Sequence, residues 1–160
     1  MDPSVILRLC ILIILLALSA FFSSSETALT TVNVHTIRAL VEDGNRQAKR
    51  VLQLIENPAA MLSSILIGNN LVNISATSLA TTLAIDVFGS AGAGIATGVL
   101  TILVLIFGEI TPKTYATIKN TNLALRFGPV IYYVTKVLTP VVIVINKLST
   151  GLLMLLRDRK

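Results

Sequence analysis

The sequence predicts an all-α membrane protein, with three transmembrane helices and amphipathic helices lying along the membrane face. Three observations predict it. Of the 160 residues, 54% are apolar and only 13% charged, against about 25% charged in an ordinary soluble domain; the mean hydropathy is +0.82. The apolar residues fall in runs long enough to cross a bilayer, which takes about 20 residues of helix. Between the first two runs lies a charged segment with apolar residues at intervals, the pattern of a helix resting on a membrane surface. A chain of this size accommodates one membrane domain, without a soluble catalytic domain beside it.

The first span is expected over residues 5–30. Leu9 to Phe22 is almost wholly apolar but too short to cross alone, so the helix must continue through Ser23-Ser24-Ser25-Glu26-Thr27. Arg8 followed by an apolar run suggests a signal peptide. However, no clear A-x-A cleavage site follows, and Glu26 with Ala28 to Val34 continues a helical pattern, so a retained span is expected. From Asn33 to Asn57 the chain carries His35, Arg38, Glu42, Asp43, Arg46, Lys49, Arg50 and Glu56, interleaved with Ile37, Leu40, Val41, Ala48, Val51, Leu52, Leu54 and Ile55. Gly44-Asn45 divides this segment into two short amphipathic helices.

Asn57-Pro58 opens the second span, over 59–85, because proline fits the first turn of a helix. Asp86 to Gly92 reads as a tight turn, and the third span follows over 93–111. Within it Gly94 and Gly98 form a G-x-x-x-G face suited to close helix packing. Phe127 to Leu156 is apolar enough for a fourth span, but Pro129, Lys136, Pro140 and Lys147 are expected to break it into short pieces. The region 120–157 is therefore read as juxtamembrane helices.

The net charge of +5 raises nucleic acid as a partner, but the basic residues flank apolar segments and no basic patch is interleaved with aromatics, so none is expected. They report topology instead. Arg38, Arg46, Lys49 and Arg50 lie in the 33–57 segment, and Lys113, Lys119, Arg126, Lys136, Lys147, Arg157, Arg159 and Lys160 follow Pro112, whereas the 86–92 turn has only Asp86. The positive-inside rule then places the N-terminus outside, and the 33–57 segment and C-terminus in the cytoplasm. Arg8 dissents, from a place where an outer-interface arginine can snorkel. The single Cys10 forms no intrachain disulfide.

Three polar clusters interrupt the spans: Ser23 to Thr27, Gly68-Asn69-Asn70-Leu71-Val72-Asn73 and Gly108-Glu109-Ile110-Thr111-Pro112-Lys113. Such groups are costly in hydrocarbon and persist where they face one another, a cavity or an ion. With a rise of ~1.5 Å per residue, all three fall at overlapping depth in the cytoplasmic half. Asn69 and Asn73 share a helix face, as do Ser23, Glu26 and Thr27. Pro112 lacks an N–H and so frees the carbonyl of Gly108 beside the carboxylate of Glu109. Oxygen donors without clustered His or Cys suit Mg²⁺, Ca²⁺, Mn²⁺ or Na⁺. The competing reading pairs Glu109 with Lys113 at i+4 and leaves the amides and hydroxyls to bond between helices. His35 is read as solvated, and the Asn73-Ile74-Ser75 sequon as buried in a span. No nucleophile–base pair or cofactor loop points to an enzyme.

These motifs resemble the membrane domain, DUF21, of the CNNM/CorC family of magnesium transport proteins. The stretches that carry the resemblance are Phe22-Ser23 through Leu29, Leu66 through Asn73, and Phe107 through Lys113; their order and spacing match, over essentially all of 1–160. The resemblance implies three spans, a juxtamembrane belt, a homodimer in the plasma (inner) membrane, and Mg²⁺ export coupled to Na⁺ entry. It implies Mg²⁺ ligands at Ser23, Asn73 and Glu109 with a backbone carbonyl near Gly108. Asn69 ranks second, as packing or part of a Na⁺ path, and so does Glu26. Family members continue into cytoplasmic CBS-pair domains that bind ATP. This chain stops at Arg157-Asp158-Arg159-Lys160, where that continuation would start, so a membrane domain without its nucleotide-binding part is expected. A Mg²⁺-sensing or scaffold module that moves no ion would use the same residues.

Overall fold

The computed structural model describes residues 2–157, and within them every regular element is helical. Helix α1 covers Pro3–Thr31, with the Asp2 carboxylate accepting from the Ser4 N–H and Pro3 in the first turn. It crosses through the serine cluster without a break, as the length argument requires. Two short helices follow, α2 (Val34–Glu42) and α3 (Arg46–Ile55), separated by Gly44 at φ +88°. Each starts on an asparagine: Asn33 accepts from the His35 N–H and Asn45 from the Ala48 N–H. Their apolar residues face the bundle, with Ile37, Ala48, Val51 and Leu54 buried.

Helix α4 (Pro58–Phe88) returns across the bundle, and its last turn runs past the residue where the sequence predicts a turn. The reversal falls at Gly89 instead, at φ +79°, a conformation open to glycine. Asp86 remains helical and pairs with Arg8 of α1, so the dissenting arginine is an ion-pair partner at the far end of the bundle. The third crossing is composite: α5 (Gly92–Leu103), a π-helical turn over Val104–Ile110, and α6 (Thr111–Ile118).

Helix α7 (Asn120–Arg157) departs from expectation. It is one continuous helix through both Pro129 and Pro140 rather than a set of short pieces. Each proline deletes one backbone hydrogen bond, to Leu125 and Lys136 respectively. A long apolar helix absorbs such isolated losses with local adjustment. Among the described residues four stretches are long and apolar enough to cross a membrane: Pro3–Thr31, Pro58–Phe88, Gly92–Ile118 and Asn120–Arg157. Only the first half of α7 is packed. Leu123, Ala124, Gly128 and Ile131 are buried there, and beyond Lys136 only Val142 is. Arg159 and Lys160 lie outside the described residues.

One apolar core ties Phe22, Ala28 and Leu29 of α1 to Ile37, Val51, Leu54, Met61, Ile65, Ala116, Leu123 and Ile131. It sits where α1 ends, α4 begins and α7 sets out. Asn120 bonds the Thr31 carbonyl at 3.2 Å, and bare Gly128 lets α7 lie against Val51. The opposite end is looser. There an apolar crevice of about 560 Å³ opens between α1, α4 and α5, lined by Leu9, Leu12, Leu83, Ile95, Val99 and Leu103 among others. The expected glycine face is not used among the described residues: a Cβ at Gly94 or Gly98 would meet nothing within 4 Å, and both are exposed. Gly92 is the glycine of close approach, set against the Ala84 carbonyl where the chain turns.

Candidate functional site

The third polar cluster lies in and just beyond the π-helical turn. In that turn the Thr111 N–H reaches back to the Ile106 carbonyl, five residues away instead of four. The extra residue widens the helix and shifts Gly108 and Glu109 out of α-helical register; such turns recur at functional sites. The turn contains Gly108, whose carbonyl the sequence reading takes to be freed by Pro112, and Pro112 itself stands two residues beyond the turn. Gly108 is buried against α1. A Cβ there would stand 2.9 Å from Ser19 Oγ, so glycine is what allows the widened backbone to meet that hydroxyl.

Ser19 and Ser23 are one turn apart on α1, each 1% exposed. Phe22, between them in sequence, fills the space at Gly68 of α4, where a Cβ would be 2.6 Å from its ring. The two glycines of the second and third clusters therefore admit α1 closely to α4 and to the π-helical turn. Glu109 is reached from α4: the Asn69 amide donates to its Oε1 at 3.4 Å, while Lys113 Nζ stands 3.2 Å from Oε2. The i+4 pairing weighed as the competing reading is thus present. It shares the carboxylate with Asn69 and is half open, the Lys113 side chain being 44% exposed.

Asn73, one turn from Asn69, faces a crevice of about 220 Å³ between α4 and α5, lined also by Thr77, Thr97, Thr101 and Val104. The three threonine hydroxyls are engaged with carbonyls of their own helices. Other oxygens are not. Ser19 Oγ, Ser23 Oγ, Asn69 Oδ1 and Asn73 Oδ1 are buried without a hydrogen-bond partner. Each such group costs about 1–3 kcal/mol; of the four, Asn69 adjoins the Glu109 carboxylate and Ser19 adjoins Gly108, and oxygen donors of this kind are the type a hard cation takes. No three of His, Cys, Asp and Glu come together among the described residues.

Of the sequence-predicted residues, the structure joins Asn69 to Glu109 directly and sets Gly108 on the α1 serine face that carries Ser23. Asn73 lies on the next turn of α4. Glu26 is left aside, half-buried and without an ion pair among the described residues. Sequence reasoning missed Ser19, whose signal is its position four residues before Ser23 in an otherwise apolar run. It also missed Ser64, fully buried and unpartnered near the start of α4. The π-helical turn has no sequence signal beyond the Gly-x-x-x-Pro spacing.

The profile of the CNNM family, described as the cyclin M transmembrane N-terminal domain, matches residues 10–160. A UPF0053 protein of Haemophilus influenzae is 43% identical over 143 residues, which are 89% of this chain and 34% of that protein. The UPF0053 inner membrane protein YfjD of Escherichia coli K12 is 40% identical over 136 residues, 85% of this chain and 32% of its own length. A polyamine export protein of the same strain is 39% identical over 71 residues, 44% of this chain and 15% of that protein. The chain spans about a third of the length of the first two relatives.

Proposed function

Because the chain belongs to the CNNM, or cyclin M, transmembrane domain family, we propose that it carries Mg²⁺ across the membrane, outward and coupled to Na⁺ entry. One observation carries this reading: the buried oxygens of Ser23 and Asn73 have no partner among the described residues, and Asn69, one turn from Asn73, bonds the Glu109 carboxylate at a π-helical turn. Mg²⁺ gives up water reluctantly and needs close oxygen geometry in return. Ser23, Asn73, Glu109 and the Gly108 carbonyl would supply neutral and anionic oxygens from α1, α4 and the π-helical turn, and Ser19 and Asn69 would extend the set. Glu109 offsets part of the cation's charge. Its approach displaces Lys113 from the carboxylate, so the ammonium is a resident counter-charge that yields to the cargo.

The positive end of the bundle, with Arg38, Arg46, Lys49 and Arg50, is read as cytoplasmic. The cation then enters from that side, and conversion of the π-helical turn around Gly108 and Pro112 re-aims the ligands outward. The chain acts here as a carrier in a homodimer and not as an enzyme. ATP would act only through parts of a longer protein.

A second reading has its own support. The pairing of Lys113 with Glu109 displays an ammonium on this carboxylate, and one relative is named a polyamine export protein; an organic polyamine would present the same group.

Purified chain in proteoliposomes, assayed for Mg²⁺ flux with and against a Na⁺ gradient, tests both. Na⁺-dependent Mg²⁺ flux is expected, abolished by Asn73→Ala and by Glu109→Ala. Flux of radiolabelled spermidine in place of Mg²⁺ would establish the second reading. Mg²⁺ binding without flux would favour a sensing module.

A further inference from the structure

The face of the bundle formed by α3 and α7 carries a cluster that the cation site does not use. The Arg50 guanidinium lies 4.5 Å from the centre of the Tyr132 ring and 5.8 Å from that of Tyr133. Lys136, one turn along α7, places its ammonium 4.8 Å from the same Tyr132 ring. Two cations are therefore gathered on one ring. Among the described residues, neither has a carboxylate partner: the ion pairs there are Arg8–Asp86 and Lys113–Glu109. Ring faces attract cations, but two like charges this near repel, and an anion between them would remove the conflict.

We infer that Arg50, Lys136 and the Tyr132–Tyr133 pair form a binding site for the phosphodiester of an anionic phospholipid headgroup. Arginine offers a planar fork matched to phosphate oxygens, lysine adds a point charge, and the tyrosine hydroxyls can donate. The surroundings favour a lipid over free phosphate. Helix α3 is an interfacial helix, apolar on the face it buries and charged on the other, and tyrosine is enriched at this level of a bilayer. Beside the cluster, Val130, Tyr133, Val137 and Val141 form an exposed stripe along α7, Val137 being 76% exposed. That stripe continues from the charged pair along the helix and provides a bed for an acyl chain.

The test uses the purified chain in detergent, with a short-chain phosphatidylglycerol, the matching phosphatidylcholine and inorganic phosphate as probes, read by native mass spectrometry and by competition. Phosphatidylglycerol should be retained over phosphatidylcholine. The Arg50→Gln/Lys136→Gln double variant should lose about tenfold or more of that retention, since each basic residue near an anionic headgroup is worth roughly 1 kcal/mol. Lys136→Gln alone, altering an exposed side chain, should lose part of it even if the double variant folds poorly. Competition by millimolar inorganic phosphate would keep the site and assign its anion to solution. The inference is overturned if the two lipids are retained equally. It is overturned also if Arg38→Gln/Lys49→Gln, which removes belt charges away from the rings, weakens retention as much.

Discussion

At Glu109 a carboxylate is divided between an ammonium and an amide, and the consequence is competitive. Lys113→Met removes the intramolecular competitor without touching the oxygen donors. Mg²⁺ should then bind about fivefold more tightly, the equivalent of a partly exposed ion pair of ~1 kcal/mol, as measured by isothermal titration. Weaker binding would mean instead that Lys113 holds the carboxylate in its ligating rotamer. At Gly108 the argument is steric. Gly108→Ala drives a methyl onto Ser19 Oγ and should cost about 1–3 kcal/mol of stability. Ser19→Ala in the same chain removes the hydroxyl and leaves a tolerable contact, so it should restore the thermal midpoint while Mg²⁺ binding stays weak. Restored binding as well would exclude the Ser19 hydroxyl from the site.

Among the elements, α7 is held along its first half alone. Gly128→Ala sets a methyl 2.5 Å from Val51 Cγ2 and should destabilise the chain by about 1–3 kcal/mol. Val51→Ala vacates that volume, and a double-mutant cycle on thermal midpoints should give a coupling of comparable size. The same elements illustrate what was legible beforehand. The Gly44-Asn45 break, the apolar spacing of α2 and α3 and the three polar clusters can each be read locally, because turn residues, periodicity and misplaced polar residues are local signals. The continuity of α7 cannot. Proline's penalty is local, whereas the length that absorbs it and the contact of Gly128 with Val51 depend on the whole fold. Asn69 at Glu109 is likewise a meeting of residues forty positions apart, implied only by matching depth. The idle Gly94/Gly98 face shows the reverse, a packing motif whose spacing is met but which has no partner among the described residues.

On the scale of the molecule, the basic residues of α2, α3, α6 and the start of α7 share one end of the bundle, and Arg8–Asp86 marks the other. Orientation can therefore be measured. In a Cys10→Ser background, Asn45→Cys should react with a membrane-impermeant maleimide only from the cytoplasmic side, and Ser90→Cys only from outside. Arg157→Cys reacting from the cytoplasmic side would place α7 along the surface, and reaction from outside would make it a fourth crossing.

The large apolar crevice between α1, α4 and α5 has a mechanical meaning. The core draws residues from α1, α2, α3, α4, α6 and α7 at the charged end, while at the far end the crevice separates α1, α4 and α5 and Arg8 pairs with Asp86. Such a body is built like tweezers, with a packed grip and tips that touch through an ion pair over a crevice. For the proposed carrier, opening the polar centre to the far side would then require no broken core, because small tilts about the packed end become the widest displacements at the tips.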